Sequence, residues 1–217
     1  MDGDIALGFR RLSIIDLEGG RQPILNEDGS LVLLFNGEIY NYQSIREDLL
    51  KAGHVFKTKT DSEVILHGYE EYGKKVLDRL RGMFAFAIWN RKSRELFCAR
   101  DFFGIKPLYY TVQDGAAGPQ FIFASEIKCI LEHPAYERAL NEEALEQYLC
   151  FQFSALDETF FKGIFKLPPA HCMTVHADGS LKTRRYWRPT YAFDENRQPP
   201  RTRWRPSTRP SRERALP

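Results

Sequence analysis

The feature that most constrains the fold is a run of five apolar residues, 31–35, that leads directly into Asn36 and Gly37. Such a run is typical of a strand buried on both faces, and Asn-Gly is typical of a turn. Asn-Gly also closes two-residue hairpins, but no alternating strand follows here. Instead, the next segment has apolar residues at helical spacing: Ile45, Leu49 and Leu50. The pattern predicts a buried strand that ends at Asn36 and Gly37 and is followed by a loop and a helix.

The residue types at this strand end suggest chemistry. Asn36 offers a carboxamide and Gly37 an unshielded backbone amide, so two neutral hydrogen-bond donors lie side by side. Neutral donors of this kind are needed where a carbonyl oxygen becomes negative during a reaction.

The remaining pattern predicts strand pairs interrupted by helices. Apolar or alternating runs bounded by turn residues predict strands at 5–9, 24–25, 56–60, 83–89, 95–101, 107–112, 120–124, 170–176 and 181–186. Helices are predicted at 42–52, from about 61, from 125 and at 141–149, with Gly53 ending the first and Asp61 and Asn141 as N-caps. This order predicts an α+β sandwich of mainly antiparallel sheets.

Composition places the chain among ordinary globular proteins, with 43% hydrophobic and 28% charged residues. No apolar run approaches the roughly 18 residues of a membrane span, and the first four residues are acidic rather than signal-like. We therefore expect no membrane partner and a cytoplasmic location.

The spacing of cysteines and histidines predicts no metal site. The cysteines are far apart and form no CxxC pair: Cys98, Cys129, Cys150 and Cys172. The five histidines have no metal-ligand spacing either. Small buried residues are the favoured interpretation of the cysteines, although any of them could be a nucleophile if a histidine lay close in the fold.

The C-terminal end differs from the rest of the chain. Residues 197–217 contain seven Arg, five Pro and one Glu, while residues 1–196 contain 24 basic and 28 acidic residues. With Trp204 and Leu216 as their only large apolar residues, they cannot bury enough surface to become ordered. One hypothesis is a tail that binds nucleic acid. The favoured one is a frameshift or artefactual end, with no nucleic-acid partner and a linker starting near residue 188.

Five motifs occur in order along the chain: residues 11–16 (RLSIID), 36–41 (NGEIYN), 61–64 (DSEV), 82–87 (GMFAFA) and 100–110 (RDFFGIKPLYY). Shorter ones follow at 124–128 (ASEIK) and 167–171 (LPPAH). Together they resemble the class II glutamine amidotransferase domain of glutamine-hydrolysing asparagine synthetases. The resemblance implies a domain over residues 1–187 with an αββα four-layer sandwich of the N-terminal-nucleophile amidohydrolase type, lacking its first strands.

The resemblance also implies a glutamine site. Arg11 matches the arginine that binds the substrate carboxylate, and a guanidinium suits bidentate pairing. Asp61 matches the acid that holds the substrate ammonium group, and Glu38 lies in the same binding turn. Taken singly, these residues could be a surface ion pair, a helix cap and a solvated loop residue. Backbone groups would complete the pocket at Leu12, Ser13, Ile14 and Ile15, while Asn36 and Gly37 match the oxyanion hole.

The family's nucleophile has no match in the sequence. It is an N-terminal cysteine whose own α-amino group acts as the base, but this chain begins Met1-Asp2-Gly3 and has no cysteine before Cys98. An internal cysteine has its nitrogen in a peptide bond and cannot supply that base. We expect a chain truncated at its N-terminus that does not hydrolyse glutamine alone.

Asparagine synthetases carry a second, ATP-dependent synthetase domain with a Ser-Gly-Gly-x-Asp phosphate loop, and no such loop occurs here. ATP and Mg²⁺ are therefore expected only in that missing domain, with no cofactor or metal in this chain. The expected partners are L-glutamine and a synthetase domain or homologous full-length subunit, and a homo-oligomer is an open alternative.

Three functional hypotheses remain open from the residues. The leading one is a glutaminase-domain fragment of an asparagine synthetase. The second is the amidotransferase module of another synthetase, such as one that amidates sugars or peptides. The third is a non-catalytic domain that binds glutamine or regulates another protein.

Overall fold

Two antiparallel sheets stacked face to face form the centre of the structure. The computed structural model describes Gly3 and residues 5–9, 22–115 and 118–190. The strands are β1 Ile24–Leu25, β2 Leu31–Ile39, β3 Gly82–Asn90, β4 Glu95–Arg100, β5 Tyr109–Gly115, β6 Gly118–Ala124, β7 Phe165–Lys166, β8 His171–Val175 and β9 Leu181–Arg185. The helices are α1 Tyr42–Lys51, α2 Glu63–Tyr72, α3 Ile127–Leu131 and α4 Glu142–Phe151, with a 3₁₀ helix at Gly73–Asp78.

The first sheet has six strands in the order β1-β2-β3-β4-β8-β9, and the second has three in the order β6-β5-β7. One face of the first sheet packs against α1 and α2 through a core that includes Phe35, Leu49 and Ile65. Its other face packs against the second sheet. On the far side of that sheet, Ile130 of α3 packs near Ile122 of β6. The layers follow the order αββα, which confirms the predicted α+β sandwich.

Residue size on β3 determines where the two sheets can separate. Phe84 and Phe86 point to the helix side, while Ala85 and Ala87 point to the second sheet. Because side chains alternate between the faces of a strand, the two phenylalanines fill the helix-side core, while in the middle of β3 only two small residues face the second sheet. That space contains the pocket described below.

Strand β2 differs from its prediction at one end. Residues 31–35 are all buried, as predicted. However, the strand does not end at Phe35, because Asn36 pairs with Ala85, Gly37 with Phe84, and the ladder continues to Ile39. The turn comes only at residues 40–41. Asn36 and Gly37 therefore lie within a rigid strand rather than in a turn.

Two other predicted strands are wrong. Residues 56–60 form a loop, although their side chains alternate inward and outward as predicted. The backbone N–H groups of Lys57 and Thr58 donate to the Glu63 carboxylate, at 2.7 and 2.8 Å, instead of to a neighbouring strand. Residues 6–9 are not in a strand and Ile5 makes only a single β-bridge, but Ile5 and Leu7 pack against the core between the sheets.

The predicted helix ends are mostly confirmed. α1 ends at Lys51, and Gly53 has a φ of +100° just beyond it. The Asn141 side chain accepts a hydrogen bond from the Ala144 amide and so caps α4. Asp61 is not the cap of α2: the capping position belongs to Ser62, which makes no side-chain cap bond. Within the described part of the chain, none of the helices has the length and apolar character needed to cross a membrane.

Candidate functional site

A pocket of about 970 Å³ lies between the two sheets. It is lined by the second half of β2, by the small residues of β3, by the segment that enters β5 and by the first residues of α3. The N-terminal segment 6–9 covers part of it. The lining includes Leu34, Asn36, Gly37, Glu38, Asp61, Ala85, Ala87, Lys106, Pro107, Leu108, Phe123, Ser125 and Cys129.

Four of the predicted site residues meet in this pocket: Asn36, Gly37, Glu38 and Asp61. Asp61 is 25 positions from Asn36 in the sequence, so the fold and not the chain order brings them together. The side chain of Asn36 belongs to the face of β2 that is turned toward the second sheet, since Val32 on that same face packs there. Asn36 and Asp61 are half-buried, while Glu38 is exposed at the pocket edge.

The predicted residues Arg11, Leu12, Ser13, Ile14 and Ile15 lie outside the described residues, as does the Arg/Pro-rich end of the chain. Their proposed contacts with a substrate stay predictions.

Among the described residues, none covers the edge of the first sheet at the backbone amide of Gly37. The short strand β1 pairs only with residues 32 and 33 of β2. Further along this edge, the Phe35 amide donates to the Gln22 side chain at 2.6 Å, and the Ile39 amide donates to Asp61 Oδ2 at 2.8 Å. Because amides two residues apart in a strand point to the same edge, the Gly37 N–H points out between these two bonds. A strand amide that is not bonded to another described residue can donate to a ligand in the pocket.

Gly37 must be glycine because β2 and β3 approach closely at this position. Its φ is +154°, and a Cβ atom there would overlap the Met83 carbonyl oxygen and contact the Phe84 backbone. Gly82 shows the reciprocal constraint, since a Cβ atom on it would overlap the Glu38 carbonyl oxygen. The absence of two side chains therefore keeps the strand straight through the site.

The Asp101 carboxylate organises the loop that forms the opposite wall of the pocket. Asp101 is 1% exposed. It accepts hydrogen bonds from four backbone amides, those of Phe84, Phe103, Ile105 and Lys106, at 2.9 to 3.2 Å. One of these amides belongs to β3 and the others to the loop, so the carboxylate holds the loop against the sheet. This contact places Lys106, Pro107 and Leu108 at the pocket.

Arg100 stabilises the same loop from the other side. Its guanidinium donates to the carbonyl oxygens of Gly104, Lys106 and Leu167 at 2.6 to 2.7 Å. Burial lowers the pKa of Arg100, and the neighbouring Asp101 carboxylate opposes that shift. The RDFFGIKP motif thus holds this loop in place and shapes the pocket. The sequence alone did not indicate this structural role.

The sequence missed several residues that line the pocket. Ala85 and Ala87 could have been found from the alternation of large and small residues on β3. Nothing in the local pattern pointed to Cys129, which is exposed on α3 and also lines the pocket. Cys98 and Cys172 are buried, and burial raises the pKa of both thiols. Their burial confirms the predicted core role for these two cysteines, whereas Cys129 and Cys150 are exposed.

Two solved structures have a fold similar to that of this chain. The fold resembles glutamine phosphoribosylpyrophosphate amidotransferase from Bacillus subtilis, with a TM-score of 0.50 and 22% identity over 76% of this chain and 32% of that one. It also resembles a structure described as the allosteric regulatory enzyme of purine biosynthesis, with a TM-score of 0.53 and 22% identity over 78% and 32% of the two chains. This likeness supports the class of fold, an α+β sandwich of two stacked sheets between helices.

The family profile described as "Glutamine amidotransferase domain" matches residues 1–187, and the chain belongs to this family. Curated relatives include asparagine synthetase [glutamine-hydrolyzing] 1 of Bacillus subtilis, which is 42% identical over 88% of this chain and 29% of the relative. A putative asparagine synthetase [glutamine-hydrolyzing] of Mycobacterium tuberculosis is 42% identical over 88% of this chain and 30% of the relative. The chain thus spans less than a third of the length of these relatives.

Proposed function

We propose that the pocket between the two sheets binds L-glutamine, and that the chain is the glutamine-binding domain of an enzyme that makes asparagine. The observation that carries this proposal is the convergence of Asn36, Gly37 and Asp61 on one pocket. These residues come from two separate motifs, 36–41 and 61–64, and each offers a group that glutamine requires. The identity of about 40% to asparagine synthetases favours asparagine synthesis over the amidation of sugars or peptides.

Binding of free glutamine requires recognition of both of its charges. The half-buried Asp61 carboxylate would accept hydrogen bonds from the substrate ammonium group, and its bond to the Ile39 amide holds it in place. The guanidinium of Arg11 would pair with the substrate carboxylate in a bidentate manner. Backbone groups of residues 12–15 would complete this end of the pocket, and Glu38 would act at its edge.

The side-chain amide of glutamine would lie against β2. Attack on its carbonyl carbon generates a negative oxygen, which needs donors that are already in position. The Asn36 carboxamide and the outward-pointing Gly37 amide would supply them. Because both residues lie within a paired strand, they need little reorganisation when the charge develops.

The thiols of this chain do not complete a glutaminase. Cys129 lines the pocket, but its backbone nitrogen lies in a peptide bond and cannot serve as an α-amino base. We propose that these 217 residues bind glutamine without hydrolysing it. Glutamine hydrolysis, which converts glutamine and water into glutamate and ammonia, would require a nucleophile outside this sequence.

The second half of the reaction would take place on a synthetase domain or subunit. The relatives are more than three times the length of the matched region. There, with Mg²⁺ bound, ATP would convert aspartate to an adenylate with release of pyrophosphate, and ammonia from glutamine would displace AMP to give asparagine. The residues of this chain would contribute only the glutamine side of that reaction.

Isothermal titration of the purified chain with L-glutamine tests the proposal. We expect one binding site, and we expect Asp61→Asn to weaken binding at least about tenfold, equivalent to about 1.4 kcal/mol. Asparagine at position 61 can still accept the Ile39 hydrogen bond, so this variant removes the charge and keeps the fold. The matched control is Asp178→Asn in the exposed turn before Ser180, which should leave the affinity unchanged.

An ammonia assay on the same samples tests the chemical part. We expect the chain to release ammonia from glutamine no faster than buffer without protein does. Equal glutamine affinity in the Asp61→Asn and Asp178→Asn variants would refute the assigned pocket. Ammonia release that disappears in Cys129→Ser would overturn the conclusion that the chain lacks a nucleophile.

A further inference from the structure

A cluster of histidine and glutamate side chains lies in the helix layer, on the opposite face of the first sheet from the pocket. It comprises Glu27 in the β1–β2 turn, His54 between α1 and α2, and His67 and Glu70 on α2. Each of the four side chains offers one ligand atom, and these atoms all lie within 4.8 Å of one another. The cluster is independent of the proposed glutamine pocket.

The distances within the cluster match those of a four-coordinate metal site. His67 Nδ1 lies 3.3 Å from Glu27 Oε2 and 3.6 Å from Glu70 Oε2. His54 Nδ1 lies 3.6 Å from Glu27 Oε1 and 3.7 Å from Glu70 Oε2. Tetrahedral zinc with ligands at about 2.0–2.1 Å places neighbouring ligand atoms roughly 3.3–3.4 Å apart. Since the four ligand atoms lie within 4.8 Å of one another, the side chains would have to draw closer to reach that spacing around an ion.

His67 provides a second, separate observation. Its side chain is 1% exposed, and within the described part of the chain neither ring nitrogen makes a hydrogen bond. Its nearest polar neighbours are carboxylate oxygens at 3.3–3.6 Å, too far or too poorly aligned for a good hydrogen bond, so the buried nitrogens are incompletely satisfied. Its Nδ1 atom points to the centre of the cluster, where a metal ion would satisfy it.

In both histidines, the Nε2 atom, which is the ring nitrogen on the far side from the cluster, also lies near a carboxylate. His67 Nε2 faces Glu63 Oε1 at 3.5 Å, and His54 Nε2 faces Glu71 Oε2 at 3.3 Å. Metal-binding histidines commonly donate the far N–H to such a carboxylate, which fixes the tautomer and leaves the near nitrogen free to bind the metal. Glu63 is itself held by the amides of Lys57 and Thr58 and by the Thr58 hydroxyl.

We propose that Glu27, His54, His67 and Glu70 form a structural zinc site. Two imidazoles with two carboxylates suit a borderline ion such as Zn²⁺ better than the all-oxygen ions Ca²⁺ and Mg²⁺. The ion would offset the negative charge of the surrounding carboxylates and would join α2 to the β1–β2 turn and to the loop after α1. Glu27 and Glu70 are the solvent-exposed members, so the ion would enter from the surface.

Calorimetric titration of the chelator-treated chain with Zn²⁺ tests this site. We expect one equivalent to bind and the melting temperature to rise. Affinity should fall at least about tenfold in Glu70→Gln and in His54→Asn, both of which change a partly exposed ligand without opening the core. The matched control is His176→Asn, which removes a histidine that pairs with Glu95 at 2.8 Å elsewhere on the surface and should leave affinity unchanged.

Cobalt substitution identifies the ligands directly. We expect the Co²⁺ form to show the visible bands of a four-coordinate nitrogen and oxygen site, without thiolate charge-transfer absorption. A thiolate band would place the metal on the exposed Cys129 or Cys150 and overturn the proposal. The proposal also fails if Zn²⁺ does not saturate at one equivalent, or if Glu70→Gln binds as tightly as His176→Asn.

Discussion

Replacing Asp101 by asparagine removes the charge that holds the loop beside the pocket. The carboxylate accepts four backbone hydrogen bonds, two at each oxygen. An asparagine keeps one oxygen, so in either orientation two N–H groups that are at least partly buried face an NH₂ group and lose their acceptor. Each unsatisfied group costs about 1–3 kcal/mol, so we expect the free energy of unfolding to fall by roughly 2–6 kcal/mol.

That loss is large compared with the total stability of a domain, which is about 5–15 kcal/mol. If the free energy of unfolding falls by about 2 kcal/mol for each molar of urea, the unfolding midpoint should be lowered by roughly 1–3 M urea. Circular dichroism along a urea titration measures this shift. Glutamine binding should weaken in parallel, because Lys106 and Leu108 line the pocket.

The matched control for this experiment is Asp178→Asn. Asp178 is exposed and accepts one backbone hydrogen bond, from Ser180 at 2.9 Å. The urea unfolding midpoint of Asp178→Asn should therefore stay at the wild-type value. If Asp101→Asn unfolds at the same urea concentration as this control, the carboxylate does not hold the loop and the reasoning fails.

Three further predictions concern packing and ionisation. Gly37→Ala should lower the melting temperature strongly, because the new Cβ would overlap a backbone carbonyl oxygen of β3; an unchanged melting curve would contradict that close approach. Iodoacetamide should label Cys129 and Cys150 but spare Cys98 in the native chain, since Cys98 is buried and burial raises the pKa of its thiol. Peptide mass mapping checks this, and rapid labelling of Cys98 would place it at the surface. Burial also raises the pKa of Tyr186. As the pH rises, the Tyr186 hydroxyl therefore loses its proton in the unfolded state first, near pH 10. Above that pH the free energy of unfolding falls, because the unfolded state binds fewer protons than the folded state. Urea midpoints between about pH 8 and pH 11 should therefore decline less steeply in Tyr186→Phe, and an identical decline would show that this group does not contribute.

Local pattern predicted most of the fold. The buried run at 31–35 was assigned correctly, because five apolar neighbours can be buried together only in an element that packs on both faces. Asn141 was identified as a cap because its short side chain reaches the amide of Ala144, three residues away. In both cases the determining interaction lies within or beside the element itself.

Two of the wrong predictions share one physical origin, which is competition from another hydrogen-bonding partner. The alternating residues 56–60 look like a strand, but the Glu63 carboxylate takes the hydrogen bonds of Lys57 and Thr58. Asp61 looks like a helix cap, but its carboxylate bonds to Ile39 instead. The pattern of a short segment contains no information about which distant group wins such a competition.

The sequence by itself determined the family, through motifs whose order matches a glutamine amidotransferase domain, and it named Asn36, Gly37 and Asp61 as candidates for one site. Only the tertiary structure decided that Asn36 and Gly37 lie inside a paired strand, with the Gly37 amide directed outward beside Asp61. It alone brought His54 against His67, although the two are 13 positions apart and have no metal-ligand spacing. Residue types and local periodicity can be read from the sequence. Distances between side chains that are remote in the sequence are set only when the sheets and helices pack together.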